Sequence, residues 1–321
     1  MRDGKGFELN TNTDMRPEIS LIICTRNRDH IISDTLNSAL AQSLDVSRCE
    51  ILIMDQSTND ETEKLIKNYP NFKYFRLNSR GLSISRNEGL KQSRGEIIVY
   101  ADDDLIFGEN YLSDIIDFFN NSELKPDMIG GKILPKYLAP KPDWIEGFLL
   151  GGLGYSDYGD EPRIYDIHPK HVPYGGNMAI KRKCLDEVGS FSIMNGDQSL
   201  TVENEDIIFA NKLRKLGYTL AYCPDMVVYH KIQPEFLTYG YYKKRYYLQG
   251  ISDAKAYYLL ERFKYSDIFL NIIIHSLRWF KGLILQFFKK IPHEKYYQNL
   301  RLYYNAGYVK SLFKILFDKK I

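Results

Sequence analysis

The stretch GEIIVYADDD, residues 95–104, places three adjacent carboxylates directly after a continuous apolar run. A short apolar run bounded by polar residues is typical of a strand that is buried on both faces of a parallel sheet. Adjacent carboxylates repel one another and are costly to bury unless a cation or hydrogen-bond donors neutralise them. The stretch therefore predicts a central strand whose carboxyl end binds a cation or a ligand.

Similar apolar runs precede this strand along the chain: ISLIICT (19–25), EILIMD (50–55) and the alternating FKYFRL (72–77). Segments in which apolar residues recur at helical spacing separate these runs. Strands that alternate with helices of about ten residues favour βαβ units, and so an α/β fold with a mostly parallel sheet and helices on both faces. Ligands of such sheets bind at the carboxyl ends of the strands, and a polar residue follows the apolar run at each of these ends.

The three carboxylates favour a hard divalent cation. Asp102 and Asp104 would point to the same side if the strand continued through them, while Asp103 would face elsewhere. Mn²⁺ and Mg²⁺ prefer such oxygen ligands and usually bind through one or two carboxylates together with substrate phosphates. The chain has no GxxxxGK[ST] or GxGxxG loop, so a nucleotide diphosphate would need such a metal clamp. A solvated acidic loop that caps a helix is the alternative interpretation.

Composition limits the class of protein. The chain has 321 residues, of which 44% are hydrophobic and 26% charged, and this excludes collagen-like and disordered classes. Four scattered cysteines show neither zinc nor disulfide spacing and predict free thiols in a reducing, cytoplasmic compartment. Residues 1–17 lack the apolar stretch of a secretory signal and are expected to form a disordered lead.

The net charge of +2 conceals two differently charged segments. Residues 231–321 contain 17 Lys and Arg, 6 Asp and Glu, and 13 of the 25 tyrosines. The rest of the chain is therefore acidic. This shift in composition predicts a boundary between a body at 18–230 and a basic, Tyr-rich, helical region at 231–321.

Five stretches, in order, resemble family 2 glycosyltransferases with the GT-A fold: ISLIICTRNR, EILIMDQSTNDET, GLSISRNEGLKQSRGEIIVYADDD, VPYGGNMAIKRKCLDEVGSF and VENEDIIFANKLRKLGYTLAYCPDMVVYH. The resemblance covers roughly residues 18–232. It implies a nucleotide-binding half at 18–104 and an acceptor half at 105–230. It also implies metal-dependent, inverting transfer of a sugar from a nucleotide-diphosphate sugar to a hydroxyl of a glycan or lipid-linked acceptor, in bacterial polysaccharide or glycoconjugate synthesis.

The resemblance implies roles for residues of the first two strand ends. Thr25 and Asn27 would contact the nucleotide, and Asp55 would bind the base or ribose, with Ser57 beside it. The position after Asp55 is often Asp or Asn in the family but is Gln56 here, so the nucleotide is not specified. Turn and cap chemistry is the alternative for Asp55 and Ser57.

Further donor contacts are implied beyond these loops. Arg86 would pair with phosphate or orient the metal-site acids, or else is a surface residue of a helix. Asp103 would contact ribose or sugar. In VPYGGNMAI, Gly176 would allow the backbone to approach the ligand and Asn177 would bond donor sugar or acceptor, unless the segment is simply a hairpin turn.

Metal and base are also implied by the matching motifs. Asp102-x-Asp104 matches the DxD motif, with Asp104 as the better metal ligand, and His230 falls where many members carry a metal-ligating histidine. Inverting transfer needs a carboxylate that takes the acceptor proton. Asp206 is the preferred base and Glu205 the close alternative, although acids at a helix N-terminus also stabilise the helix dipole.

The basic region leaves three interpretations open. Residues 268–291 are apolar, but Arg278 and Lys281 near the middle argue against a membrane span. An interfacial helix on an anionic membrane surface fits the pattern, as does packing on the catalytic body or a homodimer interface. Nucleic-acid binding is not expected, although Tyr and Lys interleave at 237–258.

Two other functions compete with sugar transfer. A sugar-1-phosphate nucleotidyltransferase has a similar core but would carry a glycine-rich loop after the first strand, and ICTRNRDH has none. A catalytically inactive glycan-binding relative would not need the intact DDD and ENED motifs or His230.

Overall fold

A computed structural model of the chain describes residues 16–191, 204–261, 265–285 and 292–317. The expected lead at 1–17 lies almost wholly outside the described residues and stays a prediction. Within them, nine strands form one sheet. The strands are β1 (Ile19–Thr25), β2 (Cys49–Asp55), β3 (Phe72–Arg76), β4 (Ile97–Asp102), β5 (Leu105–Phe107), β6 (Met128–Tyr137), β7 (Arg163–Ile164), β8 (Asn177–Lys181) and β9 (Leu220–Ile232).

Helices follow most of the strands. Those of the body are α1 (Asp29–Leu40), α2 (Glu61–Ile66), α3 (Leu82–Gln92), α4 (Tyr111–Asn121), α5 (Arg182–Val188) and α6 (Glu205–Lys215). Two short 3₁₀ helices span Gly147–Leu153 and Pro234–Leu237. The C-terminal region consists of α7 (Tyr239–Glu261), α8 (Tyr265–Leu285) and α9 (Pro292–Phe317).

The first four strands form the predicted parallel half of the sheet, in the order β3-β2-β1-β4. Thr25 pairs with Asp55 across β1 and β2, and Cys24 pairs with Asp102 across β1 and β4. This register brings the polar ends of three strands to one edge, where α/β sheets bind ligands.

The second half of the sheet is mixed. β4 pairs antiparallel with β8, β6 pairs antiparallel with β8 but parallel with β9, and β5 pairs antiparallel with β9. Leu105 of β5 lies opposite His230 of β9, so a residue some 125 positions away in sequence joins the acidic end of β4. Mixed pairing is common in large sheets that begin as parallel α/β units.

Alternating side chains of β1 enter two cores, as expected for a sheet covered on both faces. Leu21 and Ile23 pack with residues of α1 and α4, whereas Ile22 packs with residues of α3, α5 and α6. The α/β fold with helices on both faces and a helical C-terminal region is thereby confirmed.

Some local expectations are wrong in detail. β4 ends at Asp102, and Asp103 and Asp104 form a turn, so the strand does not continue through the three acids. The expected boundary at residue 230 falls inside β9, which runs to Ile232.

The C-terminal helices contact the body through a third core. Leu149 and Leu153 of the body share this core with Tyr242 of α7 and Leu300 of α9. α9 lies against α7, and α8 lies against α9. Packing on the body therefore accounts for α7 and α9.

α8 is arranged differently, because much of its apolar surface is exposed. His275 and Gly282 are buried against α9, while the opposite face of α8 exposes apolar side chains: Tyr265, Phe269, Leu270, Ile273, Leu277, Phe280 and Ile284. Among the described residues α8 is the one helix that is long and apolar enough, by those two criteria, to cross a membrane.

Candidate active site

The three carboxylates after β4 take different partners because the chain turns there. Asp103 is buried and its carboxylate accepts hydrogen bonds from Thr25 Oγ1 (2.6 Å) and Arg28 Nη1 (2.5 Å). Asp104 Oδ2 accepts a hydrogen bond from Arg28 Nη2 at 2.7 Å. Asp102 lies near Arg86, with 3.8 Å between Oδ1 and Nη2. Arginine side chains therefore supply the donors that adjacent acids require.

The two acids bound by Arg28 differ in their affinity for protons. Burial raises the pKa of Asp103, and the positive charge of Arg28 offsets only part of this effect. Burial by itself would raise the pKa of Asp104 as well. The hydrogen bonds and charges of His230 and Arg28 outweigh burial and hold the Asp104 pKa below its usual range. Asp104 is thus kept as a carboxylate at the edge of the cleft.

His230 of β9 faces Asp104 with one ring nitrogen. Its Nδ1 lies 2.8 Å from the carbonyl oxygen of Leu153, which can only accept, so Nδ1 carries the proton and donates. Nε2 lies 3.4 Å from Asp104 Oδ2. Burial lowers the pKa of His230, but the hydrogen bond and charge of Asp104 outweigh it and raise that pKa. A divalent cation that displaced the Nε2 proton would find an imidazole nitrogen beside a carboxylate, and the Nδ1 bond fixes the ring as it does for metal-binding histidines.

Protein ligands alone do not complete a metal site. In the described ranges no group of three or more His, Cys, Asp or Glu side chains is arranged to hold a metal ion. One or two protein ligands suffice for Mg²⁺ or Mn²⁺ when phosphates and water supply the others. Asp104 and His230 fit that pattern, and Asp102 also lines the cleft.

Arg86 joins acids from two elements. Its guanidinium is 2% exposed, bonds the carboxylate of Glu205 and lies near Asp102. The alternative of a surface position on a helix is thus wrong, and the role implied by the resemblance, in which Arg86 orients site acids, stays a prediction that its contacts allow. A Cβ atom at position 175 would lie 2.7 Å from Arg86 Nη1, and one at 176 would overlap the Asp102 carboxylate, so these glycines permit the close approach.

Glu205 and Asp206 begin α6 but have different surroundings. Glu205 is 5% exposed and held by Arg86. Asp206 lines the cleft, where its Oδ2 accepts a hydrogen bond from the Gly175 N–H at 2.8 Å and its Oδ1 accepts one from its own neighbour Ile207. The geometry favours Asp206 as the more accessible proton acceptor.

These groups line one cleft of about 720 Å³. The body contributes Arg28, Asp102, Asp104 and His230 to the lining, together with the start of α6, Gly175 and Gly176. The C-terminal region contributes the rest of one continuous set: Phe236, Tyr241, Lys244, Arg245, Leu248 and Gln249.

The residues expected to bind the nucleotide lie beside this cleft rather than in its lining. Asn27 adopts a left-handed backbone with φ of 53°, and its side chain accepts hydrogen bonds from Thr58. Asp55 is buried and accepts bonds from the Ser57 N–H and the Tyr74 hydroxyl. These contacts organise the two loops at the sheet edge, as the turn-chemistry alternative predicted for Asp55 and Ser57.

Two further expectations of direct ligand contact disagree with the structure. Asn177 is 0% exposed; its Oδ1 accepts a bond from Tyr111, and its Nδ2 donates to the carbonyl oxygens of Lys132 and Met226. Asp103 is likewise buried and occupied by Thr25 and Arg28. Both side chains lack a free face toward the cleft because the protein itself satisfies them.

Sequence reasoning missed four residues of the site. In the sequence, Arg28 is only a polar residue that follows β1. Its ion pairs with Asp103 and Asp104 depend on the turn after β4. Tyr174, Lys244 and Arg245 reach the cleft through tertiary packing. The cationic cluster KKR at 243–245 was the available sequence signal for the last two.

Comparison with known proteins identifies relatives of the chain. The model of the family described as glycosyl transferase family 2 matches residues 20–189. The poly(ribitol-phosphate) β-N-acetylglucosaminyltransferase TarP of Staphylococcus aureus is 33% identical over 135 residues, which are 39% of this chain and 41% of TarP. The glycosyltransferase AglE of Haloferax volcanii is 21% identical over 289 residues, 88% of this chain and 84% of AglE. The chain thus spans less than half of TarP.

Solved structures share the fold. A mannosyltransferase of Pyrobaculum calidifontis, solved in complex with GDP-Man and Mn²⁺, has a TM-score of 0.55 at 16% identity and covers 95% of this chain and 75% of its own. Residues 1–349 of S. aureus TarS, in complex with UDP, have a TM-score of 0.52 at 17% identity, with 93% and 91% covered. Because the family model spans more than half of the chain, the protein belongs to glycosyl transferase family 2.

Proposed function

We propose that this protein transfers a sugar, with inversion, from a nucleotide-diphosphate sugar to a hydroxyl of a glycan or lipid-linked acceptor. The observation that carries the proposal is one cleft that is lined both by the Asp104 and His230 pair and by Asp206. The family match favours this reaction over the nucleotidyltransferase alternative. Its setting would be bacterial surface-polysaccharide or glycoconjugate synthesis.

The donor diphosphate would lie at the end of β4. Asp104 and His230, with Asp102, would hold Mn²⁺ or Mg²⁺, which when bound would neutralise the leaving diphosphate. Arg28 keeps Asp104 ionised, and the bond to the Leu153 carbonyl keeps Nε2 of His230 directed at Asp104. The relative solved with GDP-Man and Mn²⁺ supports this part of the proposal.

The nucleotide remains open between the uridine and guanosine types that the relatives bind. Gln56, at the position that varies in the family, is bonded within the protein. Its amide donates to the carbonyls of Ser79 and Gly81, and its oxygen accepts from the Gly81 N–H, so this side chain holds the loop before α3. Thr25, Asn27, Asp55 and Ser57 would shape the nucleotide pocket through the loops they brace.

Asp206 would accept the proton of the attacking hydroxyl. An inverting displacement needs a carboxylate near the acceptor oxygen as that oxygen attacks the anomeric carbon. The Gly175 N–H orients Asp206, while Arg86 neutralises Glu205. Glu205 would then position the start of α6 and contact the acceptor or the sugar.

A nucleotide-sugar panel tests the proposal. Wild-type protein with Mn²⁺ or Mg²⁺ is expected to hydrolyse one donor slowly without acceptor, and Asp104→Asn is expected to lose this turnover. Asp160→Asn is the matched control, because Asp160 is an exposed acid paired only with Lys132 among the described residues. Metal-dependent turnover that survives in Asp104→Asn contradicts the metal assignment.

A second variant tests the base. Asp206→Asn is expected to bind donor as wild type does, measured by thermal shift, but to lose transfer by about a hundredfold or more. Glu205→Gln separates the two acids. If Glu205→Gln loses transfer at unchanged stability and Asp206→Asn does not, the base is Glu205.

We also propose that α8 rests on an anionic membrane surface at the cytoplasmic face. The apolar stripe of α8 is exposed, and Arg278 and Lys281 lie exposed beside it, within a region that carries a large excess of cations. Apolar anchors flanked by cations are the pattern of interfacial helices. The four cysteines are free, as expected in a reducing compartment.

Vesicle binding tests this surface. Wild-type protein is expected to sediment with anionic vesicles at low salt, and Phe269→Ser with Leu277→Ser is expected to abolish sedimentation. Ser266→Ala on the same helix is the control. A wild-type protein that stays in the supernatant but forms a dimer sensitive to the same double variant supports the homodimer interface instead.

A further inference from the structure

The arginines on the donor side of the cleft are already paired with acids, whereas Lys244 and Arg245 of α7 have no acidic partner among the described residues. Arg28 bonds Asp103 and Asp104, and Arg86 bonds Glu205. Lys244 and Arg245 line the same cleft, and no ion pair joins either of them to an acid in the part of the chain that the structure describes. Two uncompensated cations in a cleft are available to bind an anion.

The α7 cations lie on the side of the proposed base. Tyr174 connects them to it: the phenol lies within the electrostatic reach of both Asp206 and Arg245, and the next residue, Gly175, donates to Asp206. Gln249 of α7, which also lines the cleft, donates a hydrogen bond to Asn204, two residues before Asp206. Lys244 and Arg245 therefore line the cleft on a helix that is bonded to the segment carrying the proposed base.

The same wall offers surfaces for a polyhydroxylated chain. The rings of Phe236 and Tyr241 stack at 4.8 Å between centroids and line the cleft next to the cations. Aromatic faces bind the apolar side of sugar or alditol units, while a guanidinium and an ammonium suit phosphate oxygens.

We propose that Lys244 and Arg245 bind a phosphate group carried by the acceptor, so that the acceptor is an anionic, phosphate-bearing chain rather than a neutral glycan. This inference rests on the proposed transferase function and narrows its acceptor class. A neutral acceptor would leave two cations hydrated in the cleft, whereas a phosphate gains charge-assisted hydrogen bonds from both. The phosphate belongs either to a phosphodiester-linked polymer or to a lipid-linked diphosphate, which share this chemistry.

The double variant Lys244→Gln with Arg245→Gln tests the site. Three probes are used: a soluble poly(glycerol phosphate) oligomer, a neutral maltooligosaccharide of matched length, and phosphatidylcholine vesicles that carry a polyprenyl diphosphate. The wild-type full chain is expected to bind a phosphate-bearing probe, and the double variant to bind it about tenfold or more weakly, since two charge-assisted hydrogen bonds are lost. If the double variant loses binding to the oligomer alone, the phosphate belongs to a polymer. If it loses binding to the vesicles alone, the phosphate belongs to a lipid-linked diphosphate.

The neighbouring cation provides the matched control. Lys243 is on the same helix but stands over the rings of Tyr239 and Tyr303, at 5.2 and 5.9 Å from their centroids, and does not line the cleft. Lys243→Gln is expected to change affinity for the probes by less than about twofold. An equal loss in Lys243→Gln would mean that general charge, not a site, attracts the probes, and would overturn the proposal.

Donor binding and donor hydrolysis are measured on the same preparations. Affinity for UDP and GDP with Mn²⁺ is expected to be unchanged in the double variant. If nucleotide affinity falls instead, the cations hold the donor diphosphate and the proposal is wrong. If wild-type protein binds no phosphate-bearing probe better than the neutral chain, the proposal also fails, while donor hydrolysis in that protein would leave the transferase function standing.

Discussion

Arg86 shows how one buried cation can organise a site. Its guanidinium is enclosed by Tyr100 and Phe191, with ring centroids 5.9 and 5.7 Å away, and bonds Glu205 at the start of α6. The charge of Glu205 keeps Arg86 protonated in spite of its burial, which acts to lower its pKa. The helix that carries the proposed base is thereby tied to the helix that follows β3.

Arg86→Gln is expected to destabilise the protein by about 3–5 kcal/mol, because it breaks an ion pair with Glu205 in which both side chains are buried. Urea unfolding at neutral pH measures the change. Lys91→Gln serves as control: Lys91 on the same helix makes an exposed pair with Glu88, and its removal should cost less than about 1 kcal/mol. Equal stability of Arg86→Gln and wild type would show that the pair contributes little.

His230→Ala is expected to weaken Mn²⁺ binding in the presence of UDP by about tenfold or more, since a ligand and its fixed orientation are both lost. Calorimetric titration with Mn²⁺ measures the affinity. His171→Ala, at an exposed histidine bonded to Asp166, should leave it unchanged. An unchanged affinity in His230→Ala would make the histidine a structural partner of Asp104 only.

Residues that reach the cleft could be predicted from the sequence where a family motif lies at the end of a predicted strand. Asp104, His230 and Asp206 reach the cleft because each lies near the end of a strand or at the start of a helix. The resemblance assigns Asn177 and Asp103 to ligands, but the side chains of both are hydrogen-bonded to neighbours that no local pattern reveals.

Glycines allow α7 and α9 to pack in direct backbone contact. A Cβ atom at Gly250 would overlap the carbonyl oxygen of Tyr304, and one at Gly307 would overlap that of Tyr247. The two helices cross where small residues face each other. This contact fixes the position of α7, and with it the wall that carries Lys244 and Arg245.

Gly250→Ala is expected to destabilise the protein by about 1–3 kcal/mol because the backbone of α9 must shift. Gly240→Ala is the matched control on the same helix, where a new Cβ would meet only Thr238 at 4.0 Å. There the better helix propensity of Ala should stabilise by up to about 1 kcal/mol. Thermal or urea unfolding compares them, and similar effects at both positions would contradict the close contact.

His275, on the buried face of α8, is a titratable side chain whose protonation state affects the stability of the fold. His275 stacks on Tyr308 at 3.8 Å and bonds Asn305. Burial lowers the pKa of His275; the Asn305 hydrogen bond opposes this, while Arg278, Arg301 and Lys170 lower it further. Neutral His275 therefore makes its full contribution to the free energy of unfolding above the ordinary histidine pKa of about 6.5. This contribution is lost as the pH falls below that value.

His275→Gln removes this titration. We expect the difference in unfolding free energy between wild type and variant to decrease from pH 8 toward pH 5.5, by up to about 1.4 kcal/mol per pH unit. Urea unfolding across this range measures it. His168→Gln, at an exposed histidine, controls for general effects. A difference that does not vary with pH would mean that His275 does not resist protonation in the folded protein.

At the scale of the molecule, the body and the C-terminal helices share one core. Trp144 of the body lies 5.0 Å from Tyr242 of α7 and 4.9 Å from Tyr296 of α9, measured between ring centroids. A boundary near residue 230 describes the shift in composition but not a division of the hydrophobic core.

The shared core predicts one cooperative unfolding transition. The chain contains two tryptophans, so Trp279→Phe leaves Trp144 as the only reporter at the junction. Its fluorescence and the far-UV circular dichroism are expected to change at the same urea concentration. A helical signal that persists after the Trp144 signal has changed would show that the C-terminal helices are an independent domain.

The sequence by itself determined the α/β class, the parallel half of the sheet and the acidic strand end, because hydrophobic periodicity and residue chemistry are local properties. Only the tertiary structure decided which acids stay open to the cleft, that Arg28 and Arg86 neutralise the others, and that α7 brings Lys244 and Arg245 to the cleft. These depend on contacts between residues far apart in the chain, such as Asp104 with His230, where burial and partner together set each side chain's state.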